Sequence, residues 1–359
     1  GVGLVGSEMC IRDRFSSGQN NTAVGKAALD AFTTGDNNVA IGVNALGVLT
    51  TADNNVAVGT SAGDAITTGG AIVVIGSNAG GQLTSDQYVT AVGYNAGAYA
   101  EAGNGNRYNS YFGSDAGYRG GPGVSQTYLG ASSGLYATGS YNTFVGTSAG
   151  QGGTTSAPYS SGASNTAVGA YALDAFTTGY NNTALGRGAG TAVTTGFGNV
   201  YIGYNSGYYA TTGRGNVAIG ASTQQGASGQ TTGTYNVSLG ENALFSLESG
   251  NHNFVVGSNA GYSLTTGENN IIMGASAGDA LTSTSNSVII GRAAGTAINS
   301  ADANGVVLLG AYAGTALTNG QYNTAIGTSA LASEDDGDFN TAIGYNALTS
   351  QTGRSGEVG

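Results

Sequence analysis

A pentapeptide of the type NTAVG returns along the chain at almost constant spacing. Its last glycine, the anchor glycine, occurs nineteen times between Gly25 and Gly344, and 13 of the 18 intervals are 17 residues long. Such regular self-similarity is typical of repeat proteins, in which each unit buries its apolar side chains against the next. A helical repeat is disfavoured, because each unit carries several glycine and β-branched residues that weaken a helix by about 0.5–1 kcal/mol each. The sequence therefore predicts an all-β fold, a parallel β-solenoid of about 19 coils with a 17-residue repeat.

The residues before each anchor glycine alternate as in a short β-strand. The residue immediately before it is apolar in every unit, and the residue three before it is mostly Thr or Val. The position between them is usually Ala and is a larger apolar residue in most other units. Because successive side chains of a strand point to opposite faces, both faces are apolar and both need a cover. We expect the coil interior to cover one face and a neighbouring chain to cover the other.

Small residues and amides recur at fixed places in the repeat. The third residue after the anchor glycine is Ala in 16 of the 19 units, which predicts a tight corner. A TTG segment follows, which we expect to supply a return strand and a turn. Most units open with Asn, and stacked Asn side chains form hydrogen-bonded ladders. The structural residues predicted on this basis are the anchors Gly42, Gly59, Gly203, Gly220, Gly257 and Gly274 and the ladder amides Asn38, Asn216 and Asn253.

Composition restricts the classes of partner. The chain has 66 glycines and only 8% charged residues, but its 40% apolar content is arranged regularly enough to fill a thin core. A net charge of −11 disfavours nucleic acid. No apolar run approaches the roughly 20 residues of a membrane span, so none is expected in this segment. No cofactor is predicted, since the one resemblance to a phosphate loop fails where Ala27 follows Lys26.

The first residues do not read as part of the fold. Residues 4–14 look like the translation of a DNA sequencing adapter, and they contain Cys10, the only cysteine. Disulfides and cysteine metal sites are therefore not expected. We divide the chain into a leader at 1–17, a single solenoid domain at 18–348 and a truncated tail at 349–359.

The pentapeptides at 38–42 and 216–220, both NVAIG, resemble the head repeats of YadA-like trimeric autotransporter adhesins. Similar NTAIG arrays occur in phage tail fibres. The resemblance covers about residues 20–348 and implies a left-handed parallel β-roll, a homotrimer, and an extracellular location on a bacterial cell surface or a phage virion. The repeat is longer than that of the adhesin heads.

The middle of the array departs from the regular spacing and is rich in tyrosine. Two intervals there lengthen to 20 and 23 residues. Insertions in repeat proteins map to loops on one face, which is often the binding face. Exposed tyrosines would suit stacking on a surface glycan or contact with a protein receptor, and they would equally suit packing against a neighbouring subunit. The candidate ligand-binding residues are Tyr94, Tyr99, Tyr108, Tyr118, Tyr136 and Tyr159.

Groups that support catalysis are scarce. The only histidine, His252, lies in a predicted turn, where we expect it to be solvated. The acidic run at 334–338 suits a hard cation such as Ca²⁺, but it lacks the spacing of a calcium loop, so a solvated turn is the preferred interpretation. We therefore predict a non-enzymatic, structural or adhesive module of a trimeric adhesin or fibre. The alternatives are a phage tail-fibre shaft and, given the recurrent Thr pairs, an ice-binding solenoid.

Overall fold

The computed structural model describes residues 17–99, 107–156, 158–226, 231–300 and 303–359. These residues contain nineteen β-strands of three residues each and no helix. They belong to two compact units, residues 1–181 and residues 182–359. The predicted adapter segment 4–14, including Cys10, lies outside the described residues.

Each strand ends at the residue before an anchor glycine. The first unit contains β1 to β9, which span Thr22–Val24, Val39–Ile41, Val56–Val58, Val73–Ile75, Thr90–Val92, Ser110–Phe112, Thr127–Leu129, Thr143–Val145 and Thr166–Val168. The second unit contains β10 to β19, which span Thr183–Leu185, Val200–Ile202, Val217–Ile219, Val237–Leu239, Phe254–Val256, Ile271–Met273, Val288–Ile290, Val307–Leu309, Thr324–Ile326 and Thr341–Ile343.

Successive strands within each unit pair in parallel with a shift of one repeat. Between β2 and β3, Val39 lies beside Val56 and Ile41 lies beside Val58. The backbone N–H of Val39 donates to the carbonyl of Asn55 at 2.8 Å, which continues the ladder before the strand. Equivalent positions of the repeat therefore stack directly on one another. The predicted all-β parallel β-solenoid with a repeat of about 17 residues is confirmed.

The middle residue of each strand, the strand centre, points into the coil. Ala40, Tyr128 and Ile289 are fully buried, and the residues on either side of them are half-buried or exposed. The coil interior thus covers one apolar face of the strand, as expected. The opposite face, here called the outer face, consists of the residues one and three before each anchor glycine.

The fourth residue after the anchor glycine, the corner position, varies in size inversely with the strand centre. The corner position is Leu in six coils, and the strand centre of each is Ala or Ser. It is Gly in all nine coils whose centre is larger. A Cβ at Gly134 or at Gly150 would lie 2.4 Å from the ring of Tyr128 or Phe144, respectively. The interior therefore has room for one large side chain from this pair of positions, which is how close-packed cores constrain volume.

The corner itself needs unusual backbone angles. Asn44 and Leu46 have φ values of 59° and 49°, and they flank the buried Ala45. Left-handed φ is uncommon outside glycine and is best tolerated by Asn. This explains the many Asn residues two positions after the anchor glycine, where Ser is also frequent. Leu46 adopts this strained backbone conformation, and its side chain is fully buried in the core.

The prediction of a return strand at the TTG segment is wrong. No strand of the described residues lies there, and only isolated bridges such as Ala137 to Ser160 occur. Threonine hydroxyls take over part of the bonding between coils. The backbone N–H and the Oγ1 of Thr50 both donate to the carbonyl of Thr67, at 2.9 and 3.1 Å. One carbonyl thus accepts two donors from the same residue, which differs from the one-to-one pattern of a strand ladder.

A buried ion pair lies in the irregular middle of the first unit. Asp86 is fully buried and Arg107 is almost fully buried, and the Nε of Arg107 donates to Asp86. The Nη1 of Arg107 also donates to the carbonyl of Gly121 at 2.8 Å. Buried charges are tolerated when they are paired and hydrogen-bonded. The guanidinium thereby connects three consecutive coils.

Asp174→Asn should raise the melting temperature at pH 7. Burial raises the pKa of Asp174 above its ordinary value, so the folded state holds the proton more tightly than the unfolded state does. Ionisation therefore costs stability above the folded-state pKa, and the neutral amide avoids that cost. We expect a gain below about 1 kcal/mol, because the side chain is partly solvated. Thermal melts at pH 7 and near pH 3 test this, since an equal gain at both pH values would contradict the electrostatic origin.

Candidate functional site

The outer face of the second unit forms a continuous apolar surface. From β11 to β17 every residue in both of its columns is apolar and none is buried, and Phe254 and Ile271 are each 41% exposed. Seven strands at about 4.8 Å per step extend over about 29 Å. The residues of this surface, the apolar face, are Val200, Ile202, Val217, Ile219, Val237, Leu239, Phe254, Val256, Ile271, Met273, Val288, Ile290, Val307 and Leu309.

The same columns are more polar in the first unit. The column before the anchor glycine is apolar there too, as in Ile41 and Leu129, but the column three before it includes Thr90, Ser110 and Thr127. Contiguous exposed apolar patches of more than a few hundred Å² are unusual on monomeric proteins and mark interaction sites. The apolar face of the second unit is therefore a stronger candidate interaction site than the same columns of the first unit.

The six predicted anchor glycines adopt backbone angles that other residues rarely reach. Their φ values lie between 129° and 141°. A Cβ on any of them would lie 2.4 to 2.5 Å from the carbonyl oxygen of the next anchor glycine. For Gly257 that oxygen belongs to Gly274, and no side-chain movement can relieve a contact with backbone. Both the conformation and the stacking distance therefore require glycine.

The predicted ladder amides are buried and bonded within the chain. The Oδ1 of Asn38 accepts from the N–H and the Nδ2 of Asn55, at 3.0 and 3.1 Å. Its Nδ2 donates to the carbonyl of Ala52 at 2.8 Å, on the return segment. Asn216 and Asn253 repeat this pattern in the second unit. These side chains tie the strand to the return segment and offer nothing to a ligand.

Four of the six candidate tyrosines meet in the first unit. Tyr99 and Tyr136 occupy the sixth position after the anchor glycine in their coils, and Arg119 occupies it in the coil between them. The ring of Tyr118, the residue before Arg119, meets that of Tyr99 edge-on with 4.8 Å between centroids. The inserted segment around Ser160 bridges to Ala137. This bridge brings the ring of Tyr159 to 6.0 Å from that of Tyr136, in a stacked arrangement.

Arg119 lies among these rings. Its guanidinium carbon is 4.8 Å from the ring centroid of Tyr99, 5.6 Å from that of Tyr118 and 5.5 Å from that of Tyr159. Aromatic faces attract cations at such distances. Arg119 is not among the residues predicted from the sequence. The register of the repeat could have identified it, because Arg119 occupies the same position of the repeat as two of the candidate tyrosines.

An open groove of about 520 Å³, the aromatic groove, surrounds Arg119. Its apolar walls are Tyr99, Tyr159 and the only two prolines in the chain, Pro122 and Pro158. Among the described residues, none that lines the groove is acidic. Its polar lining consists of Gln82, Thr84, Thr138 and Ser161. Burial and the neighbouring Tyr99 hydroxyl raise the pKa of Tyr118 above its ordinary value.

The other two candidate tyrosines lie elsewhere. Tyr94 directly follows the anchor Gly93 and is 59% exposed. Tyr108 stacks on Tyr88 in the neighbouring coil, with 5.0 Å between ring centroids and nearly parallel planes. Neither lines the aromatic groove, and Tyr88 was not a candidate. The irregular middle thus presents one clustered site and two separate exposed tyrosines.

The remaining candidates for chemistry are isolated. His252 is exposed and stacks on Tyr235, with 5.3 Å between ring centroids. In the acidic run, Asp335 and Asp336 are exposed, as expected for a solvated turn, whereas Glu334 is fully buried. The Oε1 of Glu334 accepts from the N–H of Gly337 at 2.7 Å, which turns this carboxylate inward.

No family model matches the chain, and a search of curated proteins found no match. None of the described residues forms a long apolar helix of the kind that crosses a lipid bilayer. The class of protein is therefore defined by its fold, a parallel β-solenoid, together with the apolar face and the aromatic groove.

Proposed function

We propose that the chain is a non-enzymatic structural and adhesive module that self-associates as a homotrimer in an extracellular adhesin head or fibre. The apolar face of the second unit is the observation that carries this proposal. Burial of apolar surface contributes roughly 25 cal/mol per Å², so covering this face with another chain favours association. The aromatic groove of the first unit is the proposed receptor site.

A second copy of the chain is the occupant that fits the apolar face best. The face has no charged residue, so a strongly charged partner gains nothing there. Its strands repeat at about 4.8 Å, and another copy carries the same residues at the same spacing. Two copies in register therefore match coil by coil, which a partner without this period cannot do. Closed assemblies of identical chains are also the usual form of oligomer.

The number of copies and the location come from the resemblance to YadA-like heads. Three chains packed side by side are what that resemblance implies, together with a bacterial surface. A phage tail-fibre shaft would use the same assembly. The genes that flank the coding sequence separate the two, since an adhesin needs a stalk and an anchor and a tail fibre lies among phage structural genes.

Two observations favour this function over the rivals. Thr33, Thr50 and Thr67 donate their hydroxyl protons to carbonyls of the next coil, so these hydroxyls are engaged within the chain and are less suited to an ice surface. For catalysis, the only histidine stacks on a tyrosine, and a general base needs a proton acceptor beside a nucleophile or carboxylate. An ice-binding activity would appear as thermal hysteresis.

The full chain should behave as a trimer in solution, and charges on the apolar face should dissociate it. We expect light scattering to give a mass of three times 35.1 kDa for the wild type. The double variant Ile219→Glu/Ile271→Glu should be monomeric, because it would bury carboxylates without partners between the chains. Both positions are exposed in the single chain, so the fold itself should change little.

Thr266→Glu is the matched control. Thr266 is exposed on the return segment just before β15, so the substitution adds one carboxylate of the same kind away from the apolar face. It should leave the trimer intact. A wild-type chain that stays a soluble monomer at micromolar concentration would overturn the proposal, as would a double variant that remains a trimer.

A further inference from the structure

Arg119 has donors that the described residues do not occupy. Its backbone N–H donates to the carbonyl of Leu135, but among the described residues no hydrogen bond or ion pair involves its guanidinium. The rings of Tyr99, Tyr118 and Tyr159 surround this group instead. A guanidinium that stacks on rings keeps its N–H groups available in its own plane. Arg119 is therefore held in place with its hydrogen-bonding edge available.

The electrostatic surroundings of Arg119 favour an anion. The chain carries only 9 Lys and Arg residues against 20 Asp and Glu, yet none of the described residues that line the aromatic groove is acidic. A planar guanidinium binds carboxylates through two parallel hydrogen bonds, and these are stronger in a partly desolvated site than in water. The groove thus offers one positive group for a ligand with one carboxylate at that point.

The rest of the groove suits a sugar. The faces of Tyr99 and Tyr159 and the rings of Pro122 and Pro158 provide apolar surface. The amide and hydroxyl groups of the polar lining provide donors and acceptors around it. A sugar ring has the same mixture, with C–H faces and hydroxyl edges, and amphipathic aromatic rings suit such ligands. A volume of about 520 Å³ lies within the usual range for a small-molecule site.

We infer that the aromatic groove binds an acidic sugar, with Arg119 paired to the sugar carboxylate and Tyr99 and Tyr159 stacked on the ring. This inference rests on the proposed adhesive function and specifies its receptor class. Two sources share the chemistry, namely uronic acids in polysaccharides and terminal sialic acids on glycoconjugates.

Calorimetric titration of the full chain with matched sugars tests the inference. Tetragalacturonic acid and its methyl ester form one pair, and 3′-sialyllactose and lactose form the other. We expect binding of at least one acidic sugar and at least tenfold weaker binding of its neutral counterpart. The pair that shows this difference identifies the source. Equal affinity within both pairs, or no binding of any of the four, would overturn the inference.

Three variants locate the site. Arg119→Gln should weaken binding of the acidic sugar at least tenfold, and Arg119→Lys should recover only part of it, because Lys keeps the charge and loses the planar fork. Arg292→Gln is the control, since Arg292 lies 5.5 Å from the ring of Tyr312 in the second unit and does not line the groove. It should bind as the wild type does. Wild-type affinity in Arg119→Gln would place the ligand elsewhere.

Failure of this inference is distinguishable from failure of the proposed assembly. The groove belongs to the first unit and the apolar face to the second. Light scattering on the Arg119 variants should still give the wild-type mass, which also shows that they fold. A trimer that binds no acidic sugar would reject only the inference, and a monomer that binds one would reject only the assembly.

Discussion

Gly257→Val should lower the free energy of unfolding by more than about 3 kcal/mol. Gly257 has a φ of 139°, and a Cβ there would lie 2.5 Å from the carbonyl oxygen of Gly274. The valine would have to leave this conformation and push the next coil away at the same time. Because each coil bonds to both neighbours, the displacement should spread along the ladder. Thermal or urea melts measure the loss.

Ser258→Val is the matched control for that substitution. Ser258 is exposed and differs from Gly257 by one position, so the same side chain should change stability by less than about 0.5 kcal/mol. Gly257→Ala should also be strongly destabilising, since the Cβ alone makes the contact. Equal melting temperatures for Gly257→Val and Ser258→Val would mean that the anchor glycines have no structural requirement.

Arg107→Met should cost about 3–5 kcal/mol, because it leaves the buried carboxylate of Asp86 without its cation. The substitution also removes the donor to the carbonyl of Gly121. Asp86→Ala should be similarly harmful, since it leaves a buried guanidinium unpaired. The double variant should be more stable than either single variant, because neither charge then remains alone in the interior.

Lys26→Met serves as the control for this pair. It also replaces a cation by methionine, but Lys26 is exposed, so its melting temperature should stay near that of the wild type. A double-mutant cycle on the two buried residues measures their coupling free energy. If the two single losses simply add in the double variant, the pair does not act as a unit and the structural assignment is wrong.

The repeat was enough to predict the fold, because the period of the anchor glycines fixes which residues stack. The pairing of Val39 with Val56 follows directly from the 17-residue interval between their coils. The return segment was mispredicted for a local reason. Thr50 has the β-branched side chain of a strand residue, but the N–H groups of Thr33 and Thr34 both donate to its carbonyl, at 2.9 and 3.4 Å, so the alternation of a strand ladder is lost there.

The direction of the strand faces could also have been read from the sequence. Ala40 faces inward although Ile41 is larger. A rule that the larger apolar residue faces inward would predict the opposite. The deciding signal is the inverse relation between the strand centre and the corner position, as in Tyr128 with Gly134. Only residues that share one enclosed space need to compensate each other in volume.

The groove was only partly predictable. The long interval after Gly146 indicated an insertion, and the tyrosines around it were visible in the sequence. Their meeting point depends on the bridge from Ser160 to Ala137, and nothing in the repeat specifies where an insertion returns to its coil. Tyr94 and Tyr108 were included for their type alone, and their coils place them away from Arg119.

The pairing of strand centre and corner position has a consequence for how such an array changes length. Its two members lie six residues apart in one coil, as in Ala167 and Leu173. Most of the side chains that fill the interior of a coil therefore belong to that same coil. Duplication or loss of a 17-residue unit by slippage of the coding DNA would leave neighbouring coils filled. A larger side chain at the corner position would not fit beside a large strand centre unless the centre became smaller at the same time, as Tyr128 with Gly134 shows. An array of this kind is therefore expected to vary among lineages by whole units more readily than by single core substitutions.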